Sequence, residues 1–385
     1  MVDFEKIKNF ITIPKGLTYL GIGNIVSSAV SGIFWLYIAR LVESDSYGQL
    51  TYLISVAMIT TTVCLIGGNT TINVFTSKKY ELQKVIYFLN SISAMIGGIV
   101  IFLIFESVGL SLYIFGFVIF SLLLNEMLGK QIFKDYSYIL ISQKILMVIL
   151  AIPFYFLFHI EGIILGIGLS FFPFLYKIIF SFKEQKLEFS KLKNKIGFLA
   201  NNQGLDLGSI LNNQIDKIMI VPILGFTALG NYSLSVQIIS LSGILTGIVY
   251  QYTLSHDARG DSKLFLKKIT IISSFFITVL VIVLSPIFIP IFFPNYENVV
   301  EIIQIMSLIL VPGAIQTTYS SKFLGNEKSK FVIISNALQL SILVSGVFIL
   351  GNLYGVIGVT IAFVLGKTFQ AIFLVTFDKL FFKNN

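Results

Sequence analysis

The sequence predicts an all-α, polytopic membrane protein with twelve transmembrane helices in two pseudo-symmetric six-helix bundles around a central cavity. Three observations lead there. First, 56% of the 385 residues are hydrophobic and 12% are charged, with a mean hydropathy of +0.89; a soluble domain carries about 25% charge. Second, apolar runs of about 18 or more residues recur from end to end, each long enough to cross about 30 Å of hydrocarbon as a helix. Third, the lysines that lie outside the spans fall in alternate loops.

The spans are expected at about 16–41, 48–76, 84–105, 110–128, 136–158, 160–182, 201–224, 229–254, 267–293, 298–321, 330–350 and 353–376. The opening MVDFEKIKNFITIPK is charged and lacks the apolar core of a cleaved signal peptide, so the first span is expected to direct insertion. Lys6, Lys8 and Lys15 precede that span, Lys78, Lys79 and Lys84 occupy the second loop, and Lys130 and Lys134 the fourth. The sixth loop holds Lys177, Lys183, Lys186, Lys191, Lys193 and Lys195. Arg259, Lys263, Lys267 and Lys268 fall in the eighth, Lys322, Lys328 and Lys330 in the tenth, and Lys379 and Lys383 at the end.

The intervening loops, at 42–47, 106–109, 159, 225–228, 294–297 and 351–352, contain no lysine or arginine but do contain Glu43, Asp45, Glu106 and Glu297. The positive-inside rule then puts both termini in the cytoplasm of a multi-pass protein of the cell membrane. The formal charge of +8 is explained by this distribution, and there is no basic soluble domain to bind nucleic acid.

The expected organisation is an N-terminal six-helix lobe at 1–182, a cytoplasmic amphipathic linker at 183–200 and a C-terminal six-helix lobe at 201–385. Phe189, Leu192, Ile196 and Leu199 recur in the linker at helical spacing between lysines. That pattern suits a helix on an anionic leaflet, and a disordered basic connector is the alternative. The lobes echo one another. YILISQKILMVILAIPFYFLFHIEG (138–162) aligns without a gap to FVIISNALQLSILVSGVFILGNLYG (331–355), and DSYGQLTYLISV resembles TALGNYSLSVQI, pairing Gly48 with Gly230. Six spans per half give both halves one orientation, related by an axis along the membrane normal.

Charged side chains within spans are costly and normally face a bundle interior or water. Span seven carries Asn202, Asp206, Ser209, Asn213 and Asp216 at steps of four, three, four and three, on one helix face, with Lys217 beside it. Span one has a milder series in Asn24, Ser28, Ser31 and Trp35. The alternatives are a hydrated cavity or interhelical hydrogen bonding. Lys144 and Lys367 lie within spans five and twelve, where they either meet an anionic substrate or snorkel to an interface. Arg40 ends span one on the acidic side; it is either tethered to Glu43 or Asp45, caps the helix C-terminus, or forms part of an outer gate.

Cys64 is the only cysteine and is expected as an apolar filler, which leaves no internal disulfide. His159 and His256 have no partner at metal-ligand spacing, and GIGNIV at 21–26 follows no strand, so neither a metal, a dinucleotide nor any other cofactor is expected. No nucleophile–base constellation is readable, which argues against an enzyme.

Several short motifs carry a family resemblance. They are Ala39-Arg40 closing span one, Tyr47-Gly48 opening span two, Asp216 in span seven and Gly230-Asn231-Tyr232 opening span eight. Leu324-Gly325 precedes basic residues, and Tyr354-Gly355-Val356-Ile357-Gly358 follows. Together they resemble the polysaccharide-transport branch of the multidrug/oligosaccharidyl-lipid/polysaccharide exporter superfamily, which includes O-antigen-type flippases. The chain departs from that pattern by its clipped loops and by twelve spans where some relatives have fourteen.

The resemblance implies a monomeric flippase that moves a lipid-linked oligosaccharide on a polyprenyl phosphate carrier between leaflets by alternating access, in contact with membrane lipids. Asn24, Arg40, Lys144, Asp206, Asn213, Asp216, Lys217 and Lys367 are the candidate pathway residues. The lysines would meet phosphate or sugar, and the acids would couple to an ion (H+ or Na+) or form gates.

The nearest rival is an ion-coupled multidrug exporter of the same superfamily, which would favour an acidic aromatic cavity. A major-facilitator carrier is disfavoured because the second loop, TSKKYELQK, lacks that family's Gly-x-x-x-Asp-Arg motif. A membrane polysaccharide polymerase or ligase would need a long outer loop, and none is expected.

Overall fold

A segment in hydrocarbon must satisfy its own backbone polar groups, and without a closed barrel only helices do so. The computed structural model describes residues 15–177, 188–193, 195–243, 249, 264–296, 298–326 and 328–382, and among these every regular element is helical. They are α1 (Lys15–Leu41), α2 (Ser44–Cys64), α3 (Gly68–Ser77), α4 (Gln83–Phe105), α5 (Val108–Gly129) and α6 (Phe133–Leu169). A short 3-10 turn (Phe172–Phe174) follows, then α7 (Phe189–Lys193), α8 (Ile196–Ser242), α9 (Leu264–Phe292), α10 (Val299–Ser307), α11 (Leu310–Gly325) and α12 (Ser329–Phe382). Most of the 255–267 loop, with Arg259 and His256, lies outside the described residues, as do Glu297 and the basic residues before Lys15.

Among the described residues eight helices can cross a membrane by length and apolar composition, or nine when α2 and α3, bent by 48°, count as one span. Three of the long helices contain a non-helical residue at which the chain folds back: His159 (φ 52°, ψ −132°) in α6, Gly225 (φ 83°, ψ 178°) in α8 and Gly355 (φ 61°, ψ −143°) in α12. Side chains then meet across each reversal, Gln143 with Ser170, Asp216 with Tyr232 and Asn336 with Gln370. Each of these helices is therefore a hairpin, an arrangement consistent with twelve spans.

Residues 159 and 225–228 are where the sequence predicts turns, whereas the expected turn at 351–352 lies elsewhere. Gly351 and Asn352 remain helical, with the Asn352 side chain donating to the Phe348 carbonyl at 2.6 Å, and the reversal waits for Gly355. The seventh span also starts five residues early, at Ile196. Within 183–200 the described residues form the five-residue α7 and the first turn of α8, with Leu192 and Leu199 buried.

The gapless repeat alignment needs a correction of three residues. A Cβ on Gly162 would run into the Phe154 carbonyl, and one on Gly358 into the Leu350 carbonyl, each eight residues back. His159 therefore corresponds to Gly355, Gly162 to Gly358 and Gln143 to Gln339, an offset of 196 where the alignment uses 193. Among apolar residues chance identities outweigh the true register. The structural repeat is a turn followed three residues later by a glycine.

By internal contacts the chain forms two compact units, Met1–Phe34 with Ala57–Leu207, and Trp35–Val56 with Gly208–Asn385. In the first, α5 packs against α3, α4 and α6. Its α2–α3 break places Ile66 and Gly67 at φ 44° and 66°. Gln203 satisfies the freed backbone there, accepting from the Gly67 N–H at 2.6 Å and donating to the Thr62 carbonyl at 3.0 Å. Glu126, 3% exposed, accepts from the Tyr87 hydroxyl and pairs with Lys130, both at 2.7 Å.

In the second unit the other repeat comes into direct contact. A Cβ on Gly48 would strike the Phe226 carbonyl and one on Gly230 the Ser44 carbonyl, the residue four before the opposite glycine in each case. Thr227 donates to Asp45 at 3.0 Å and Ser233 to Thr51 at 3.1 Å. All three pairs are separated by 182 in sequence, so repeat-equivalent residues meet across a local two-fold, as in an isologous interface. Small residues permit this close crossing of helices.

Candidate functional site

The second unit contains a polar cavity of about 280 Å³ built from four helical limbs. α8 before its turn contributes Ser209, Asn212, Asn213 and Asp216, which share one face at helical spacing; its second limb adds Val236 and Ser240. The first limb of α12 supplies Asn336 and Gln339, and the second Phe363 and Lys367.

The charges in this cavity are held in place. Asp216, 3% exposed, accepts from the Tyr232 hydroxyl at 2.7 Å and from the Lys217 backbone N–H at 2.9 Å. Lys367 donates to Gln370 at 3.4 Å, and Gln370 in turn donates to Asn336 at 2.6 Å. Asn212 and Asn213 bond through their amide nitrogens to the carbonyls of Gly208 and Ser209, turning their oxygens elsewhere. Of the seven buried side-chain atoms without a hydrogen-bond partner among the described residues, two belong to residues lining this cavity, Gln339 Nε2 and Asn212 Oδ1. Gln339 is only 2% exposed. A buried donor without an acceptor costs roughly 1–3 kcal/mol, so a ligand or water accepting from it recovers that energy.

A second cavity of about 530 Å³ shares Asn213, Val236, Ser240, Phe363 and Lys367 with the first. Its remaining wall is largely apolar, with Ile239, Met306, Ile309, Leu310 and Ala314 among the residues lining it. One unit therefore combines a small hydrogen-bonding compartment with a larger apolar one across a common wall.

Of the residues singled out from sequence, Asn213, Asp216 and Lys367 line the polar cavity together. Lys217 belongs to the same unit but points its ammonium at Gln214 (2.9 Å), which also accepts from Ser55 (2.9 Å). Arg40 is exposed and lies 5.9 Å from the Phe292 ring centroid, a cation–π contact; among the described residues it forms no ion pair with Glu43 or Asp45. The other three are in the first unit. Asn24 faces the Tyr136 hydroxyl at 3.5 Å, and Lys144 and Asp206 are half-buried. Asn212, Asn336 and Gln339 were not singled out from sequence. The available signal was the three-residue step from Asn336 to Gln339, repeated from Lys367 to Gln370, inside otherwise apolar limbs. Among the described residues no cluster of three His, Cys, Asp or Glu side chains could hold a metal.

No family model and no curated protein matches the sequence. Solved structures do match in fold. A structure of the lipid II flippase MurJ in an inward closed conformation aligns with a TM-score of 0.77 at 14% identity, over 94% of this chain and 87% of that one. A multidrug resistance MATE family transporter of the MOP superfamily aligns in its inward-facing conformation with a TM-score of 0.69 at 14% identity, over 96% and 98% of the two chains. For an outward-facing structure of a multidrug resistance MATE family transporter the values are 0.67, 13%, 96% and 96%. At such identities the likeness establishes a shared all-helical membrane fold.

Proposed function

We propose that this chain is a flippase that carries a lipid-linked oligosaccharide from the inner to the outer leaflet by alternating access, supplying surface polysaccharide or glycan assembly. The observation that carries the reading is the pair of cavities in the second unit, one polar and one apolar, sharing Phe363 and Lys367. Such a pair suits a substrate that is itself half sugar–phosphate and half polyprenyl chain. The fold shared with a lipid II flippase supports the same reading. In this reading both termini are cytoplasmic, and Asp206 and Asp216 are the candidates for coupling to H+ or Na+ or for gating.

The second reading is an ion-coupled multidrug exporter, supported by the fold shared with the MATE transporters. The cavity disfavours it for cationic drugs. Asp216 is already engaged by Tyr232 and a backbone N–H, while Lys367 keeps N–H groups that a cation cannot accept. Deletion of the gene in its host, followed by analysis of lipid-linked glycans, tests the proposal. Accumulation of one such glycan on the cytoplasmic leaflet is expected. Normal surface glycan accompanied by altered drug resistance would sink the flippase reading in favour of the exporter.

A further inference from the structure

We propose that the polar cavity of the second unit is a pyranoside-binding subsite, which reads the hydroxyls of a single sugar unit while the adjoining apolar cavity takes the first part of an attached lipid. The proposal rests on the flippase reading for the origin of its ligand, and on the cavity wall for its chemistry.

A sugar hydroxyl both donates and accepts, and the wall offers both partners. Among the lining residues Gln339 and Lys367 carry donors, Asn212 carries an acceptor that is buried and unpaired, and Ser209 and Ser240 are themselves hydroxyls. A fully ionised phosphate only accepts. It would meet Gln339 and Lys367 favourably, but Asn212 Oδ1 and the Asp216 carboxylate would oppose it. One carboxylate and one ammonium also leave the wall electrically balanced, as an uncharged ring requires.

Phe363 lines both cavities and provides an apolar face for the C–H side of a pyranose at the boundary with the lipid. At about 280 Å³ the polar compartment lies at the small end of ligand pockets, which run roughly 300–1,000 Å³. It therefore suits one sugar unit. The hairpin frame does not require this polar wall. At the corresponding positions the first unit has Leu140 for Asn336, Phe171 for Lys367 and Phe174 for Gln370.

Binding to the full chain in lipid nanodiscs is measured for n-octyl glucoside below its micellar concentration, n-octyl phosphate and methyl glucoside. The octyl glucoside is expected to bind at least tenfold more tightly than either of the others. Gln339→Leu removes the amide at similar volume and is expected to weaken octyl glucoside about tenfold, one good hydrogen bond. Ser240→Leu narrows the shared wall from an exposed position and is expected to weaken octyl glucoside likewise; it stands in should Gln339→Leu fail to fold.

Tighter binding of the phosphate overturns the sugar assignment, as does indifference of octyl glucoside to both substitutions. Equal affinity for methyl and octyl glucoside overturns the lipid-linked half. The flippase reading fails separately: glycoside binding as expected, without lipid-linked glycan accumulation in the deletion host, removes that reading and leaves the subsite standing.

Discussion

The hairpin of α6, running on to Phe174, and the hairpin of α12 share one frame but are filled in opposite ways. Both reverse at a residue of positive φ, His159 or Gly355, and both close by packing a glycine onto the carbonyl eight residues back. Both bury a glutamine at the same register, Gln143 and Gln339. In the first unit Gln143 donates to Ser170 at 2.8 Å, and Phe171 beside it, 3% exposed, is packed among Tyr113, Phe117 and Phe120. In the second, Ser170 is replaced by Gly366 and Phe171 by Lys367; Gln339 Nε2 is left unpaired and a cavity opens. One hairpin is filled as a core, in which Gln143 keeps its bond to Ser170 although its Oε1 is unpaired. The other gives up packing and a hydrogen bond at the same place, which a fold alone would not select.

The shared frame is tested where it is tightest. Gly162→Leu and Gly358→Leu each drive a side chain into a backbone carbonyl, and both are expected to abolish recovery of monodisperse protein in size-exclusion chromatography. Normal recovery of either would mean that the hairpins are not closed alike. Phe171→Ala comes next: emptying an aromatic core position costs about 3–5 kcal/mol, seen as a large fall in thermal midpoint in detergent.

The opposite is expected at the corresponding site. Lys367→Phe imposes the first unit's filling on the second and should lower stability by less than about 1 kcal/mol, because the ring enters space that is already open. Its effect is on transport, with at least a tenfold loss of surface glycan in the complemented deletion host. A stability loss as large as that of Phe171→Ala would show Lys367 to be a core residue.

The degree to which each feature could be read from sequence follows the same division. Spans, and turns such as His159 and Gly225, follow from local physics, because apolar runs of this length must be helical and a lysine-free break leaves room only for a reversal. The turn expected at Gly351-Asn352 was displaced because intrahelical bonding, including Asn352 to Phe348, is satisfied there without one. At the site, Asp216, Asn213 and Lys367 stood out because polar groups are costly inside hydrocarbon. Gln339 did not, although Gln143 is as deeply buried. What separates the two glutamines lies 27 residues further along, a serine facing one and a glycine facing the other. No window of local sequence contains that pairing.

The smallest expected effect sharpens the comparison most. Gly366→Ser gives Gln339 the hydroxyl that Ser170 gives Gln143. A Cβ at 366 would lie 3.2 Å from the Gln339 carbonyl and 3.4 Å from its Cγ, close enough that the limb must give slightly but without a hard clash. The new hydrogen bond is worth roughly 0.5–1.5 kcal/mol, and this adjustment subtracts part of it, so a rise of one or two degrees in thermal midpoint is expected. Transport should fall by a few-fold, since the donor intended for substrate is now occupied within the protein. A gain in stability with undiminished transport would mean that Gln339 is unpaired for no functional reason, and the two hairpins would then differ only in how well they are packed.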